Sequence, residues 1–303
     1  MHRRRFLTGL TLGTLVAANT RPAFTAAALS RTLIPLWHGK PPGGGGPTGS
    51  LVTSATGAQR QIAVPTLTAL TPARANGYAV LIAAGGGYKR IEMGKEAWPA
   101  AEWLVARGFT AYVLSYRLPT EGWQAGNVVA LQDAQRALRI VRQREQHVSL
   151  LGFSAGGHLL GLAATRADFQ SYLPEDALDH TPATAERAAL IYPIITLEPP
   201  YSHTSTQRVL VGPHASVAED ASWSVQNYVR PDSPPFFLVQ AEDDPVSNPD
   251  NTLIMTRACQ QQRVAVEWHR YTRGGHGFGM GRPGTPTMAW PGEYARWLHE
   301  WQR

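Results

Sequence analysis

The feature that most limits the fold is an alternation of short apolar segments with helical segments, which begins near residue 62 and continues to the C-terminus. Runs rich in Val, Ile, Leu, Phe and Tyr predict strands at 62–70, 78–83, 110–118, 148–153, 188–196, 236–241 and 264–271. The intervening and final segments predict helices at 96–107, 127–144, 155–166, 250–262 and 293–302. Strands that alternate with crossover helices form a mostly parallel sheet with helices on both faces, so an α/β fold is predicted.

The helix predicted at 127–144 has the clearest periodicity of the chain. Asn127 is expected to cap its N-terminus. Four basic residues at the spacing of one helical face are expected to point to solvent, namely Arg136, Arg139, Arg142 and Arg144.

The domain organisation follows from the length of 303 residues, which suits one large domain or two small ones. No linker or repeat divides residues 61–303, so one α/β catalytic domain is predicted there. The preceding Pro/Gly-rich segment, 29–60, is interpreted as a surface lead-in. The one sizeable insertion, 197–231, is too short for a large cap domain.

Residues 1–28 have the features of an export signal. Arg3 and Arg4, followed by Phe6 and Leu7, resemble the twin-arginine motif, and small residues at 26–28 suit a cleavage site. The apolar run at 6–18 is shorter than the roughly 20 residues of a membrane-spanning helix, so no stable membrane anchor is expected. The predicted location is the periplasm or the exterior of the cell.

The net charge of +6 comes mostly from this signal, which contains four Arg and no acid. The remainder holds 24 Lys and Arg against 22 acids, a charge of +2, so nucleic-acid binding is not expected. The single cysteine, Cys259, excludes an intramolecular disulfide and any multi-cysteine metal site. No metal or other cofactor is predicted, and the oligomeric state is left open.

A candidate nucleophile lies at the junction of the strand at 148–153 and the helix that follows. The sequence there is Gly152-Phe153-Ser154-Ala155-Gly156, a GxSxG pattern. In a nucleophile elbow, a sharp turn exposes the serine hydroxyl above the sheet, and the glycines prevent collisions with the neighbouring strand and helix. The alternative is a Gly-Ser turn in an ordinary strand-to-helix connection.

A candidate oxyanion hole follows the strand at 78–83. Gly85, Gly86 and Gly87 allow the backbone to approach a substrate, and backbone N–H groups stabilise the negative charge of a tetrahedral intermediate. The N–H groups of Gly86, Gly87 and Ala155 are the predicted donors. The alternative is a flexible glycine turn.

The acid and the base are expected after the nucleophile, in that order. Asp244 follows the strand at 236–241 and is the predicted acid, with its neighbour Asp243 as the rival. His276, in a glycine-rich loop after the last strand, is the predicted base for the Ser154 proton. The alternative for His276 is a solvated loop residue.

These residues resemble the α/β-hydrolase superfamily, and more narrowly a bacterial branch of acetyl esterases and lipases related to carbohydrate (xylan) acetylesterases. The resemblance covers nearly the whole chain after the signal. It rests on seven segments, at 34–37, 85–88, 116–119, 132–137, 152–158, 191–193 and 274–278. Ala84 departs from the Pro or His that usually precedes the glycines, and His38 stands where that family tends to have Pro.

The resemblance implies a serine esterase that hydrolyses short-chain acetyl esters, on a small molecule or a polysaccharide, through an acyl-enzyme. Tyr88, Trp123 and Trp223 are expected to bind substrate, and Trp290 is a further candidate, because they lie near the predicted carboxyl ends of strands. The insertion at 197–231 and the loop at 119–126 are expected to border the pocket.

Three other functions share parts of this pattern. A lipase or feruloyl esterase uses the same catalytic residues. A serine peptidase of the prolyl-oligopeptidase type has a similar elbow, although the chain lacks the length for a propeller domain. A non-catalytic carbohydrate-binding protein is the third alternative, and the serine, acid and histidine set argues against it.

Overall fold

The computed structural model describes residues 30–303, so the predicted export signal at 1–28 lies outside the described residues. The strands are β1 (Ser30–Pro35), β2 (Val52–Thr53), β3 (Gln59–Arg60), β4 (Thr66–Thr71), β5 (Tyr78–Ala83), β6 (Thr110–Ser115), β7 (His147–Phe153), β8 (Arg187–Ile191), β9 (Phe236–Ala241) and β10 (Val266–Tyr271). The α-helices are α1 (Trp98–Val105), α2 (Val129–Arg144), α3 (Ser154–Thr165), α4 (Ser205–Leu210), α5 (Val217–Ser222), α6 (Asp250–Gln261) and α7 (Trp290–Trp301). A π-helical turn, Met93–Ala97, precedes α1.

Within the described residues, eight strands form one sheet in the order β1-β4-β6-β5-β7-β8-β9-β10. The pairs β1–β4 and β4–β6 are antiparallel, and every other neighbouring pair is parallel. The predicted mostly parallel sheet is therefore confirmed. Strands β5 to β9 are almost entirely buried, as expected of strands covered on both faces.

Helices cover both faces of the sheet because the chain reverses direction across it. The crossover from β5 to β6 moves toward one edge, whereas the crossovers through α2, α3 and α6 move toward the other. Right-handed crossovers therefore place α1 on one face and α2, α3 and α6 on the opposite face. Helix α7 packs on the same face as α1, because the ring of Trp103 on α1 stacks on the ring of Tyr294 on α7 with their centroids 5.9 Å apart.

A buried polar cluster ties three distant segments together. Arg117 and Asp133 are both fully buried and form an ion pair of 2.9 Å. The indole Nε1 of Trp37 donates to Asp133 Oδ1 at 2.8 Å. The hydroxyl of Tyr116 donates to the carbonyl oxygen of Ala84 at 2.8 Å, and so fixes the start of the glycine loop that follows β5.

The prediction that residues 29–60 form a surface lead-in is wrong at its beginning. Strand β1 pairs with β4 over its whole length and is the first strand of the main sheet. Leu36 and Trp37, which follow it, are buried. The sequence signal was weak because β1 is an edge strand whose side chains are almost all exposed, so it lacks an apolar alternation.

Two predictions about α2 are also wrong. Arg136 does not face solvent: its guanidinium is buried and pairs with Asp176 at 2.5 Å and with Asp179 at 2.9 Å. Asn127 does not cap the helix, because its Nδ2 donates to the carbonyl oxygen of Leu210 at 2.7 Å. In both cases the partner comes from a segment that is distant in sequence.

The described residues include no helix long and apolar enough to cross a membrane. Residues 30–303 also bring together no group of three His, Cys, Asp or Glu side chains suited to holding a metal ion.

Candidate active site

Ser154 lies on a sharp turn between β7 and α3, at the carboxyl edge of the sheet. Its φ of +50° is in the left-handed region, which non-glycine residues rarely adopt. A Cβ on Gly156 would stand 2.2 Å from the Ala83 carbonyl oxygen, and one on Gly152 would stand 2.6 Å from the Gly156 carbonyl oxygen. Glycine at both positions lets α3 approach β5 and β7 closely enough to hold this turn.

His276 lies within hydrogen-bond distance of Ser154. Its Nε2 is 2.8 Å from Ser154 Oγ, and its Nδ1 is 2.8 Å from Asp244 Oδ2. The side chain of Asp244 is fully buried, whereas that of His276 is partly exposed. A hydroxyl, an imidazole and a carboxylate in this chain can move a proton from the hydroxyl and stabilise the imidazolium that results.

The two neighbouring aspartates after β9 have different partners. Asp244 Oδ1 accepts the N–H groups of Val246 at 2.8 Å and Ser247 at 2.9 Å, so the carboxylate is held in place for His276. Asp243 Oδ1 instead accepts the N–H groups of Gly274 at 2.8 Å and Gly275 at 2.6 Å. The Gly275 hydrogen bond contributes most to lowering the pKa of Asp243. Asp243 therefore holds the histidine loop, and Asp244 contacts the histidine.

The glycine loop after β5 lies over the nucleophile. Gly86 and Gly87 line the same cavity as Ser154. Gly86 has a φ of +122°, and a Cβ there would stand 2.2 Å from the Arg90 carbonyl oxygen, so a side chain is excluded. In the described part of the chain, no hydrogen bond occupies the N–H of Gly86 or Gly87. The N–H of Ala155, in the first turn of α3, likewise lacks an acceptor within the helix.

Gly85, the first glycine of the loop, has a different role. Its N–H donates to Glu96 Oε2 at 2.6 Å, so it is not available to a substrate. The other oxygen of Glu96 accepts the hydroxyl of Tyr192 at 3.0 Å. The Tyr192 hydroxyl in turn accepts the N–H of Gly279, in the histidine loop, at 3.0 Å. Glu96 and Tyr192 thus connect the glycine loop to the histidine loop.

Glu96 is buried in the cavity wall, with 3% of its surface exposed. Burial raises the pKa of its carboxyl from 4.5 to about 7, although the hydrogen bonds from Gly85 and Tyr192 lower it. The carboxyl can therefore change its protonation state near neutral pH, in the wall of the cavity that also contains Ser154. The sequence predicted Glu96 only as the first residue of a helix, so no local signal marked it as a site residue.

The cavity above Ser154 has a volume of about 570 Å³ and is open to solvent. Most of the residues that line it have polar side chains, and they come mainly from the glycine loop, the segment that leads to α1, the start of α4 and the histidine loop. Its apolar side chains are Ile194 and Val246. Its charged side chains are Lys89, Arg90, Glu92, Lys95, Glu96 and Arg282.

The insertion at 197–231 borders the cavity as expected, through Thr204, Ser205 and Thr206 at the start of α4. Ser205 Oγ also donates to the carbonyl oxygen of Gly87 at 3.1 Å, which supports the glycine loop. The loop at 119–126, which was expected to contribute as well, provides no residue of this cavity's lining.

The aromatic residues predicted to bind substrate lie elsewhere. Tyr88 is buried, with its hydroxyl 2.9 Å from Nδ1 of His158. Nε2 of His158 is 2.7 Å from the carbonyl oxygen of Trp223, and burial lowers the pKa of His158 to about 4. The half-buried ring of Trp223 packs against the core, outside the cavity lining. These contacts join α3 to the end of α5, so Tyr88 and Trp223 contribute to packing instead.

Trp123 and Trp290 are core residues as well. Trp123 packs against Gly46 with the guanidinium of Arg117 4.9 Å from its ring. Trp290 is fully buried, and its Nε1 donates to the Gly279 carbonyl oxygen at 3.1 Å, behind the histidine loop. The prediction used only the position of these residues near the ends of strands. That position does not show whether a side chain points into the core or toward the cavity.

Comparison with known proteins finds a matching family model, two similar proteins and several similar solved structures. The model of a family described as BD-FAE matches residues 70–258. The chain is 27% identical over 223 residues to an acetylxylan esterase of Xylanibacter ruminicola, covering 69% of this chain and 43% of that protein. It is 28% identical over 211 residues to endo-1,4-beta-xylanase B of Butyrivibrio fibrisolvens, covering 65% and 32%. The chain thus spans less than half the length of these relatives.

Two solved structures resemble the described fold over most of the chain. An acetyl ester-xyloside bifunctional hydrolase from Caldicellulosiruptor lactoaceticus has a TM-score of 0.74 and 26% identity, covering 89% of this chain and 96% of that chain. A carboxylesterase from Lactobacillus plantarum has a TM-score of 0.65 and 26% identity, covering 78% and 93%.

Proposed function

The chain belongs to the BD-FAE family and has the α/β-hydrolase fold. From this membership and the geometry of the site we propose that it is a serine esterase that hydrolyses acetyl esters of a carbohydrate. The observation that carries the proposal is the hydrogen-bonded series Ser154, His276 and Asp244 beneath two unoccupied glycine N–H groups.

The proposed mechanism assigns one role to each residue. His276 takes the proton of Ser154 as Oγ attacks the acetyl carbonyl carbon, and Asp244 stabilises the resulting imidazolium. The N–H groups of Gly86, Gly87 and Ala155 bind the oxyanion. Collapse of the intermediate breaks the ester bond, and His276 gives its proton to the departing sugar oxygen. Water, deprotonated by His276, then attacks the acetyl-serine, releases acetate and restores Ser154.

Several observations support a short acyl group on a carbohydrate. Two similar proteins are named for the hydrolysis of acetyl esters. They are the acetylxylan esterase and the acetyl ester-xyloside bifunctional hydrolase. Most of the side chains that line the cavity are polar, whereas a long fatty acyl chain requires an extended apolar channel. We expect acetate esters to be preferred over octanoate esters in a chain-length series, and the reverse preference would favour a lipase.

Substitution of the nucleophile tests the mechanism. We expect Ser154→Ala to lower kcat for an acetyl ester on the order of 10⁶-fold, because no hydroxyl remains to form the acyl-enzyme. Acetate release from acetylated xylan and from other acetylated polysaccharides is the measurement. Ser222→Ala, at the exposed end of α5, is the matched control and should retain full activity. Unchanged turnover in Ser154→Ala would exclude the mechanism.

Export by the twin-arginine pathway is part of the proposal. It is supported by Arg3, Arg4 and the short apolar run that follows them. Replacement of both arginines by lysine is expected to retain the protein in the cytoplasm of an expressing bacterium, as measured by fractionation. Unchanged export would contradict this assignment.

A further inference from the structure

The catalytic cavity carries more positive than negative charge. Among the described residues, Lys89, Lys95 and Arg282 have no carboxylate within ion-pair distance, whereas Arg90 pairs with Glu92. The chain outside the predicted signal has a charge of only +2, so three unpaired cations in one cavity do not reflect a general excess.

The described acids near the cavity form no ion pair with these cations. Glu92 is engaged by Arg90, and Glu96 is buried between Gly85 and Tyr192. Asp243 is close enough for Arg282 to contribute to lowering its pKa, but Asp243 Oδ1 already accepts two N–H groups of the histidine loop. An anionic ligand would therefore find cations that no described carboxylate binds.

Two of the cations belong to residues that border the histidine loop. Arg282 donates from its guanidinium to the carbonyl oxygen of His276 at 3.3 Å. The backbone of Lys95 approaches the same loop, since a Cβ on Gly279 would stand 2.6 Å from the Lys95 carbonyl oxygen. Both side chains are exposed and line the cavity.

The roles of His276 and the glycine loop in the proposed reaction indicate which part of a bound ester lies near Lys95 and Arg282. His276 must reach the leaving oxygen to protonate it, so the alcohol part of the ester lies on the histidine side. The acyl oxygen is held on the other side, by the glycine loop and the first turn of α3. Lys95 and Arg282 therefore face the alcohol part of the ester.

We propose that the preferred substrate is an acetyl ester whose sugar part bears a carboxylate, either on the acetylated sugar or on a directly linked uronic acid. Lys95 and Arg282 bind that carboxylate while Ser154 attacks the acetyl group. This inference rests on the proposed esterase function and adds the charge of the substrate to it.

The size of the effect follows from the exposure of the two cations. An exposed ion pair contributes a modest amount, so two of them are expected to raise kcat/KM about fivefold. Salt of about 1 M shortens the screening length to about 3 Å and should remove most of this preference.

The experiment compares two esters that differ by one charge. The first is a mono-O-acetyl methyl glucuronoside, and the second is the same compound with its carboxylate converted to the primary amide. We expect a kcat/KM ratio of about five in favour of the acid at low salt, falling toward one at high salt. Equal values at low salt, or a preference for the amide, would overturn the inference while leaving the esterase function in place.

Variants of Lys95 connect the preference to the structure. Lys95→Met keeps the length of the side chain and should lower the ratio to about twofold, whereas Lys95→Glu should bring it to one or below. Lys95→Arg should retain the preference. Arg74→Ala is the control. It removes an exposed cation just before the amino end of β5, whereas Ser154 lies at the carboxyl end of the strands, so it should not alter the ratio. A ratio that is the same in Lys95→Glu and the wild type would contradict the assignment of Lys95.

The outcomes separate the two levels of the proposal. Hydrolysis of neither sugar ester nor phenyl acetate would exclude the esterase function itself, and with it this inference. Hydrolysis of both sugar esters without discrimination would exclude only the recognition of charge.

Discussion

The residues near Ser154 have two kinds of role, catalytic and supporting. His276 and Asp244 form the hydrogen-bonded series with the nucleophile, whereas Glu96 and Asp243 hold the loops that carry the reacting groups. Glu96 is the more unusual of the supporting residues, because burial raises the pKa of its carboxyl to about 7. Its titration makes the stability of the site depend on pH.

The raised pKa of Glu96 fixes the direction of that dependence. An acid with a raised pKa binds its proton more tightly in the folded state, so its contribution to stability is lost as the pH rises from about 4.5 through about 7. We expect wild type to lose roughly 2 to 3 kcal/mol relative to Glu96→Gln between pH 5 and pH 8, since each pKa unit corresponds to about 1.4 kcal/mol.

Urea unfolding of both proteins at the two pH values measures this difference. Glu300→Gln, on an exposed position of α7, controls for the loss of one carboxylate. A difference between wild type and Glu96→Gln that does not change with pH would show that Glu96 does not titrate in this range.

At the level of elements, the site depends on how closely α3 approaches β5. Gly156 lies where the helix backbone meets the carbonyl oxygens that end β5, and the same contact brings Ser154 beneath the glycine loop. Tyr116 and Glu96 hold that loop from the other side, through the Ala84 carbonyl oxygen and the Gly85 N–H. The relative position of two elements therefore determines the distance between nucleophile and oxyanion donors.

Gly156→Ala tests this contact. The added Cβ would stand 2.2 Å from a backbone oxygen, so α3 must shift, and we expect a stability loss of about 1–3 kcal/mol. Because misplacement of reacting groups by about 1 Å costs roughly 10²-fold, kcat for an acetyl ester should fall by that order. Gly292→Ala, in the first turn of α7, has no atom within 4 Å of the new Cβ and should be neutral or slightly stabilising. Full activity in Gly156→Ala would contradict this view of the elbow.

For the whole molecule, the ion pair of Arg117 and Asp133 connects regions that are far apart in the chain. Asp133 on α2 receives the backbone N–H and guanidinium of Arg117 and the indole N–H of Trp37. Arg117 also donates to the carbonyl oxygen of Pro42 at 2.5 Å. The segment after β1 is thereby fixed to the central layer of the molecule.

Asp133→Ala should destabilise the whole domain. It leaves the buried guanidinium of Arg117 without its carboxylate, and removal of one partner of a buried pair costs about 3–5 kcal/mol. The exposed pair of Arg230 and Asp168 is the control, since Arg230→Ala should cost about 1 kcal/mol or less. The free energy of unfolding of both variants is measured by denaturant unfolding. An equal decrease in the two variants would show that the buried pair contributes no more to stability than the exposed pair.

The sequence by itself determined the class of fold and a short set of candidates for the site. Alternating strands and helices predicted the sheet, and the order of elements selected Ser154, Asp244 and His276. In the structure His276 lies within hydrogen-bond distance of both other residues. These inferences depend on residues that are close in the chain, because strand ends, elbows and glycine loops are local patterns.

Only the tertiary structure decided which of these candidates face one another and which are buried. Asp243 and Asp244 are adjacent in sequence, and the direction of each side chain depends on its contacts with a loop some 30 residues away. The role of Glu96, the burial of Arg136 and the place of β1 in the sheet likewise depend on partners from distant segments. Buried polar groups need hydrogen-bond or ion-pair partners, and here those partners come from segments that are distant in the sequence. A local sequence pattern cannot predict them, because it contains no information about which distant segments pack together.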